Sequence, residues 1–597
     1  MTTSQEVEFA PELPPHGPVV WLRENLFQNV MSGVMSVISV LVVVVAVRGL
    51  LAWMFNPRRR WDAVTFNMKL MMVMAYPADQ LWRVWLSVFV VIALVSASLA
   101  VWKVGGKAEP RHVGRTFMTI GGTLVFIALV SPFSTSGKGL WAGAGALFFI
   151  VGWTLRTRLG ERAKKPLIPV LGLVTVAFGL IIVALWTVKV PWPLKEGDFQ
   201  IIVFEPIAMS TRIPWTMLFF GGIVAYLAVK VFAKSRDGRR IRASLTGLWV
   251  LSFPTVVFIL LRNPQVDVNR GVTWYLPTFI GFSVVGWFVL TAVSKNAKNE
   301  LGRVIAGVLL IAAVTSFVFP MEFLIRFLLM ALAAFAFLTP TFGGVGPNQR
   351  KLLYAWVFSA GTIVLSVWLT LNASGIDVPG ESYLGGLMLT IVLAVLAVVL
   401  SIPIGILMAL GRTSTMPIFR LLSTVYIELV RGVPLITWLL IAFIMLPVAM
   451  PDGVTLSGVM KAVGAMTFFN GAYLAENIRG GLQSISVGQK EASRALGMST
   501  IQETVFITLP QAIRAVLPAL VGQVIATFKD TSLVTIVSLF DFLHIARVVI
   551  PSQSNPFVFK GSITVTLVFA AFVYWLFTFA FSRMSLRIEK KLGVGER

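Results

Sequence analysis

Long continuous apolar runs, separated by short polar segments, set the pattern of this chain. Runs such as Val34 to Val47 show no alternation of apolar and polar positions, so they are not strands of a transmembrane barrel. A helix crosses the hydrocarbon core of a bilayer with about 20 apolar residues. On that measure the chain predicts eleven spans, at 31–55, 82–104, 116–134, 140–155, 167–188, 214–233, 245–262, 274–294, 301–319, 321–339 and 352–371. Five more follow at 384–411, 421–449, 457–478, 511–530 and 562–582. Two depart from the rule: 140–155 is short, and 321–339 carries Glu322 and Arg326. The polar, turn-rich stretch from Asn372 to Ser382 separates the two sets. The predicted fold is an all-α polytopic membrane protein. It has a cytoplasmic segment at 1–30, a membrane region of about eleven helices at 31–371, and a second membrane unit at 384–590.

Composition agrees with the pattern. Hydrophobic residues are 57% and charged residues 13% of 597, whereas soluble domains run at roughly 25% charged. Lysine and arginine total 50 against 26 acids, a net charge of +24. In a soluble chain that balance would point to nucleic acid. Here the basic residues gather in alternate loops and face anionic membrane lipid, and no nucleic-acid partner is expected. Lys103, Lys107, Arg111 and Arg115 follow the second span, and Arg156, Arg158, Arg162, Lys164 and Lys165 the fourth. Lys234, Arg236, Arg239, Arg240 and Arg242 follow the sixth, Lys295, Lys298 and Arg303 the eighth, and Arg350 and Lys351 the tenth. This alternation predicts a multi-pass cytoplasmic-membrane protein with both termini in the cytoplasm. One loop disagrees: Arg58, Arg59 and Arg60 fall outside, which a wrong span count or a short interfacial segment would explain.

Several chemistries lose support. There are no cysteines, so no disulfide, thiol nucleophile or cysteine metal site. His16, His112 and His544 are far apart and form no zinc-ligand pattern. Residues 1–20 lack the basic start and apolar core of a signal peptide. There is no GxxxxGK[ST] loop and no GxSxG, so this chain is expected to be neither an ATPase nor an enzyme of the nucleophile-elbow type.

The informative polar segment is the loop 479–510. Glu491-Ala492-Ser493-Arg494-Ala495-Leu496-Gly497 is followed by Ile507-Thr508-Leu509-Pro510. Gln489 to Leu496 predicts a short amphipathic helix with Ala492, Ala495 and Leu496 on one face. Gly497 suits the left-handed position that ends it. Such a helix can enter a groove on a partner. It can also lie on lipid, although its alanine-rich face is small for that.

The spacing resembles the EAA loop of ABC importer permeases, the element that docks into the ATPase subunit. Further motifs resemble the polar amino-acid uptake family: Gly386 to Thr390, Pro403 to Gly411, Tyr426 to Leu435, Ala472 to Gly481 and Phe528 to Leu533. Trp21 to Phe27, Tyr76-Pro77, Trp82-Arg83 and Pro451 to Thr455 look like its general L-amino-acid permease subgroup. Ser493 departs from the usual alanine, and residues 90–370 are not covered. The resemblance implies a five-helix, MetI-like core at 384–590. It implies ATPase coupling through Glu491, Ala492, Ser493, Gly497, Leu509 and Pro510. It also implies three partners: an ABC ATPase subunit, a second permease subunit, homologous or identical, and an extracytoplasmic amino-acid-binding protein. No cofactor is expected in this chain, because ATP and magnesium would be bound by the ATPase.

Charges inside the spans are the remaining candidates. Glu428 and Arg431 are three residues apart, as are Glu476 and Arg479, so each pair shares a helix face near the cytoplasmic end. They read either as interfacial anchors or as a polar gate on the exit path. Lys529 and Asp530, beside Thr531 and Ser532, lie deeper. They would meet the carboxylate and amino group of a zwitterionic substrate, or pair with each other or with a partner subunit. An ion-coupled secondary transporter and a membrane-embedded enzyme are the alternative classes. The first calls for inverted repeats and broken helices, the second for a polar catalytic cluster, and neither is evident.

Overall fold

The computed structural model describes residues 24–592 apart from 57–58, 103–105, 131–134, 159, 198, 234–237, 262–267, 296–299, 317–318, 320, 340–346, 372–383 and 451–455. Trp21 to Arg23, Pro451 to Thr455 and Asn372 to Ser382 therefore lie outside the described residues. Lipid offers no hydrogen-bond partners, so the apolar runs satisfy their backbone internally as helices. The first set is α1 (Val30–Met54), the short α2 (Asp62–Phe66) and α3 (Met68–Val73), then α4 (Leu81–Val101), α5 (Pro110–Val130), α6 (Thr135–Thr157) and α7 (Val170–Thr187). After a β-hairpin come α8 (Met209–Phe232), α9 (Gly238–Leu261), α10 (Leu276–Lys295), α11 (Glu300–Thr315), α12 (Phe323–Leu338) and α13 (Pro347–Leu371). The second set is α14 (Gly386–Arg412), α15 (Pro417–Gly432), α16 (Leu435–Ala449), α17 (Gly458–Gln483), α18 (Val487–Ala495), α19 (Leu509–Asp530) and α20 (Ile563–Leu592).

Among the described residues, twelve helices are long and apolar enough to cross a bilayer, thirteen with one bent pair counted as a single span. Three of the sixteen predicted spans fall outside that set. Helices α11 and α12 have only 16 residues each. Helix α17 has 26 residues but carries Lys461, Asn470, Glu476 and Arg479. It is buried in protein along much of its length, so it need not be apolar to lipid. The predicted span 421–449 is two helices: α15 and α16 meet at 104°. Pro434 caps α16, and a proline has no N–H with which to continue the helix from α15.

The chain forms two compact units, Met1–Arg59 with Gly105–Gly179, and Arg60–Val104 with Leu180–Arg597. This division does not follow the predicted one near residue 375. In the first unit α5 and α6 pack closely through glycines. A Cβ on Gly114 would lie 2.5 Å from the Gly152 carbonyl oxygen, and one on Gly121 equally close to that of Gly145. Small residues at such crossings let backbones approach and gain dispersion contacts that lipid cannot supply.

In the second unit one core joins Tyr76, Leu389, Leu393, Leu439, Met466 and Val534. Tyr76 is fully buried and its hydroxyl donates to the Leu260 carbonyl oxygen at 2.9 Å. Residues from before position 375 thus complete the core of the second set. A separate cluster built on Leu290, Leu328, Leu332 and Trp356 holds α10 to α13 together. The all-helical expectation misses the antiparallel hairpin β1 (Lys189–Glu196) and β2 (Phe199–Pro206), which turns at Gly197. The hairpin rests on α2: Thr65 Oγ1 donates to the Pro191 carbonyl oxygen, and Phe66 lies 5.2 Å from Trp192.

Candidate functional site

The loop 479–510 is built to hold one short helix still. Ser486 is extended and starts α18, and Gly497 ends it at φ +75°. The Gly497 N–H donates to the Arg494 carbonyl oxygen and the Met498 N–H to that of Ser493. These bonds satisfy the last turn of the helix. A Cβ on Gly497 would meet no other atom within 4 Å, so backbone conformation alone selects glycine there. After it, Ser499 and Gln502 form a reciprocal capping box that restarts the chain toward α19. Pro510 lies just after the π-helical turn Glu503–Thr508, inside the continuous helix Thr500–Val537, and its missing N–H removes one backbone bond there.

Helix α18 has a mounted face and a presented face. Ser493 is buried and its hydroxyl donates to the Lys490 carbonyl oxygen at 2.8 Å. Gln511 Nε2 donates to Gln489 Oε1 at 2.6 Å. Arg494 Nε donates to Glu503 Oε2 at 3.2 Å, and Glu503 is itself buried. Glu491, Ala492, Ala495 and Gly497 are exposed, and Leu496 is 82% exposed. Leu509 is half-buried against the cluster of Ala409, Ile427, Ala475, Ile478 and Ala512, whereas Pro510 is exposed. The loop is therefore anchored directly in the membrane core.

The charges at the same end form one cluster. A Cβ on Gly481 would lie 2.6 Å from the Ala512 carbonyl oxygen, so the end of α17 meets the start of α19. Here Arg412, which is not among the residues expected from sequence, donates to Glu428 at 2.8 Å and to Glu476 at 3.2 Å. Arg479 Nε donates to Glu476 Oε2 at 2.9 Å, and Arg431 reaches the same carboxylate at 4.0 Å. Arg431 also lies 5.3 Å from the Tyr473 ring. The expected helical pairing holds for Glu476 and Arg479. It does not hold for Glu428 and Arg431, whose partners are on other helices. The outcome is a tie between α14, α15 and α17.

Lys529, Asp530, Thr531 and Ser532 are not brought to that cluster. Lys529 and Asp530 end α19, about 30 Å from its first turn at 1.5 Å per residue, and Thr531 and Ser532 begin the tighter helical turn that follows. Lys529 is exposed, Asp530 half-buried, and no ion pair joins them. Thr531 is buried and donates to the Phe528 carbonyl oxygen at 2.8 Å, and Ser532 is half-buried. Between the two ends, Asn470 on α17 accepts from Gln523 at 2.7 Å and Thr527 at 2.8 Å. This buried polar link is likewise absent from the sequence expectations. Its only trace in the sequence is an amide in each of two facing apolar runs.

Residues 401–594 match the family described as the binding-protein-dependent transport system inner membrane component. The inner membrane amino-acid ABC transporter permease protein YhdY of Escherichia coli (strain K12) is 38% identical over 259 residues, which cover 43% of this chain and 69% of that protein. The chain belongs to the amino-acid ABC permease family. Another member is the glutamate/glutamine/aspartate/asparagine transport system permease protein BztC of Rhodobacter capsulatus. It is 39% identical over 253 residues, 42% of this chain, and the chain spans only 57% of its length. A crystal structure of an amino acid ABC transporter with histidines is 30% identical, covers 34% of this chain and 92% of that one, and superposes with a TM-score of 0.30. The amino-acid ABC permease family is one of inner-membrane transport proteins, and the candidate spans make this member multi-pass. The matched segment holds every candidate site residue, from Glu428 to Ser532.

Proposed function

We propose that this permease is one subunit of an ATP-driven importer that moves amino acids across the inner membrane. Its partners are a separate ATPase subunit, which holds the nucleotide and magnesium, a second permease subunit, and an extracytoplasmic binding protein. The observation that carries the reading is the mounting of α18. Gln489 and Arg494 tie it to Gln511 and Glu503 and the Ser493 side is buried, while Glu491, Ala492, Ala495 and Leu496 are presented outward. A rigid helix with a small apolar face and an acid at its edge suits a groove with a basic rim. Motion of α18 passes to α19 through Arg494–Glu503 and Gln489–Gln511, and from α19 to α17 and the charge cluster. Glu428, Arg431, Glu476 and Arg479 act there as the cytoplasmic gate. Lys529 to Ser532 serve the opposite end of the path.

The test uses the reconstituted complex, with uptake and binding-protein-stimulated ATPase activity measured together. Glu491→Lys sets like charge against a basic rim, and Gly497→Asp strains the left-handed turn. Each lowers uptake about tenfold or more, Glu491→Lys through like-charge repulsion of several kcal/mol and Gly497→Asp by displacing the turn that ends α18, while assembly of the membrane helices persists. Normal uptake in both variants would remove the docking role.

A further inference from the structure

The cavity between α4, α8 and α9 has about 850 Å³ and lies far from the charge cluster and α18 in sequence. It opens where α4 ends at Val101, α8 ends at Phe232 and α9 begins, the end that the basic loops assign to the cytoplasm. Its floor is made of small or buried side chains, Ala93, Ala97, Ala225 and Leu245, and its outer rim includes Leu248, which is half exposed. Of its twelve lining residues only Arg240 and Ser244 are polar, and both lie toward the mouth. Ser244 is one turn deeper than Arg240, on the same face of α9. The cavity exists because the three helices converge elsewhere. Phe89 of α4 fills the space above Gly221 of α8. Leu81 and Val84 of α4 and Val256 and Leu260 of α9 pack on the central core at the other end.

We propose that this groove binds one anionic phospholipid, with an acyl chain along Ala93, Ala97 and Ala225 and the phosphate at Arg240 and Ser244. Depth selects the occupant. From Arg240 to Leu248 the groove runs about 12 Å along α9, less than half of a hydrocarbon core about 30 Å thick. That is too short for a spanning helix of a second copy or another subunit, and it suits a chain from one leaflet. Charge selects the headgroup: Arg239, Arg240 and Arg242 lie at the start of α9, with no acid in its first turn. A basic pocket between helices at the cytoplasmic face is suited to an anionic lipid head.

The full-length protein in nanodiscs is labelled with phosphatidylglycerol or phosphatidylcholine, each carrying the same photoreactive acyl chain, and the modified peptides are mapped. Phosphatidylglycerol is expected to label peptides containing Ala97 and Leu248, and phosphatidylcholine to do so about fivefold less, the weight of one arginine near an anionic head. Arg240→Gln removes that difference, and Leu248→Trp, which closes the rim, reduces both. If Leu248→Trp melts early, Ala225→Leu fills the floor instead. Labelling that maps elsewhere, that ignores the headgroup, or that persists with the groove filled overturns the proposal. So does cross-linking of these peptides to another protein chain.

Discussion

Asp541 has no exposed surface, yet it lies between the candidate spans 500–537 and 563–587. Its carboxylate accepts the N–H groups of Leu543 at 2.9 Å and His544 at 3.1 Å, capping the short turn Phe542–His544. Burial pushes its pKa up to about 6, against the opposing pull of those two N–H groups. The unfolded value is about 3.9. Between those values the folded protein holds more protons at this site than the unfolded chain, so Asp541's contribution to stability is fully present below about pH 4 and is lost as pH rises through 6. The span of the effect is about 3 kcal/mol. Asp541→Asn keeps the capping oxygen and removes the titration. Its melting temperature should therefore vary less between pH 4 and pH 6.5 than that of the parent, measured at one scan rate because unfolding of such proteins is often irreversible. Equal pH profiles would show that Asp541 does not titrate in this window. The same spot explains Gly386. Its φ is +62°, its N–H donates to the Phe540 carbonyl oxygen at 2.8 Å, and a Cβ would run into the Met71 carbonyl oxygen. Glycine is required there by both conformation and space.

At the scale of elements, the three-helix charge tie ranks its members by burial. Glu476 is 23% exposed and faces Arg412, Arg431 and Arg479, whereas Glu428 is 63% exposed and bonds Arg412. Exposed pairs contribute about 0–1 kcal/mol. Removing the central acid from a partly buried cluster takes the shared carboxylate from Arg431 and Arg479 and leaves Arg412 with Glu428 alone, which costs about 1–3 kcal/mol after allowance for solvent screening. Glu476→Gln should therefore lower the melting temperature of the purified protein more than Glu428→Gln. High salt should shrink the Glu428→Gln effect first. The reverse order would mean that Glu476 does not organise the cluster. Helix existence is legible in the sequence because unbroken apolar runs such as Val34 to Val47 leave no other way to satisfy the backbone in lipid. Gly497 is legible because local geometry determines its role. The bend at Pro434 is not, since hydropathy continues through it. Arg412 escapes because its partners are 16 and 64 residues away, and only packing of α14 on α17 brings them within reach. Asn470 with Gln523 and Thr527 escapes for the same reason. The hairpin β1–β2 is hidden between two apolar runs, with its pairing set by the turn at Gly197.

For the whole second unit, loops that the charge alternation places on one side meet one another. Residues 60–76, the hairpin 189–206, Gly386, Asp541 and the segment before α20 gather at one end: Val558 N–H donates to Gln200 Oε1, and Phe66 lies 5.0 Å from Phe557. Arg412, Glu428, Glu476 and the loop carrying α18 gather at another. A single miscounted span between any two members of one group would have put them on opposite faces of the bilayer, and their contact would then be impossible. These contacts fix the parity of the crossings between members of a group, and the short pair α11 and α12 changes the number by two or by none, so both counts keep the same loops together. One arginine of the discordant basic loop is accounted for. Arg60 is an ion-pair partner of the buried Asp62 at 2.8 Å and lies over the Phe559 ring. It is bound to protein in place and is not free to bias the loop toward the cytoplasm. The remaining basic loops carry the expectation of absolute orientation, with both termini in the cytoplasm. Gly197 and Gly488 are exposed, with open space around each, so insertions there should be tolerated. Reporter fusions at Gly197 should read as extracytoplasmic and fusions at Gly488 as cytoplasmic. If both read on the same side, α18 cannot face a cytoplasmic ATPase while the hairpin faces outward, and the arrangement proposed for transport fails with it.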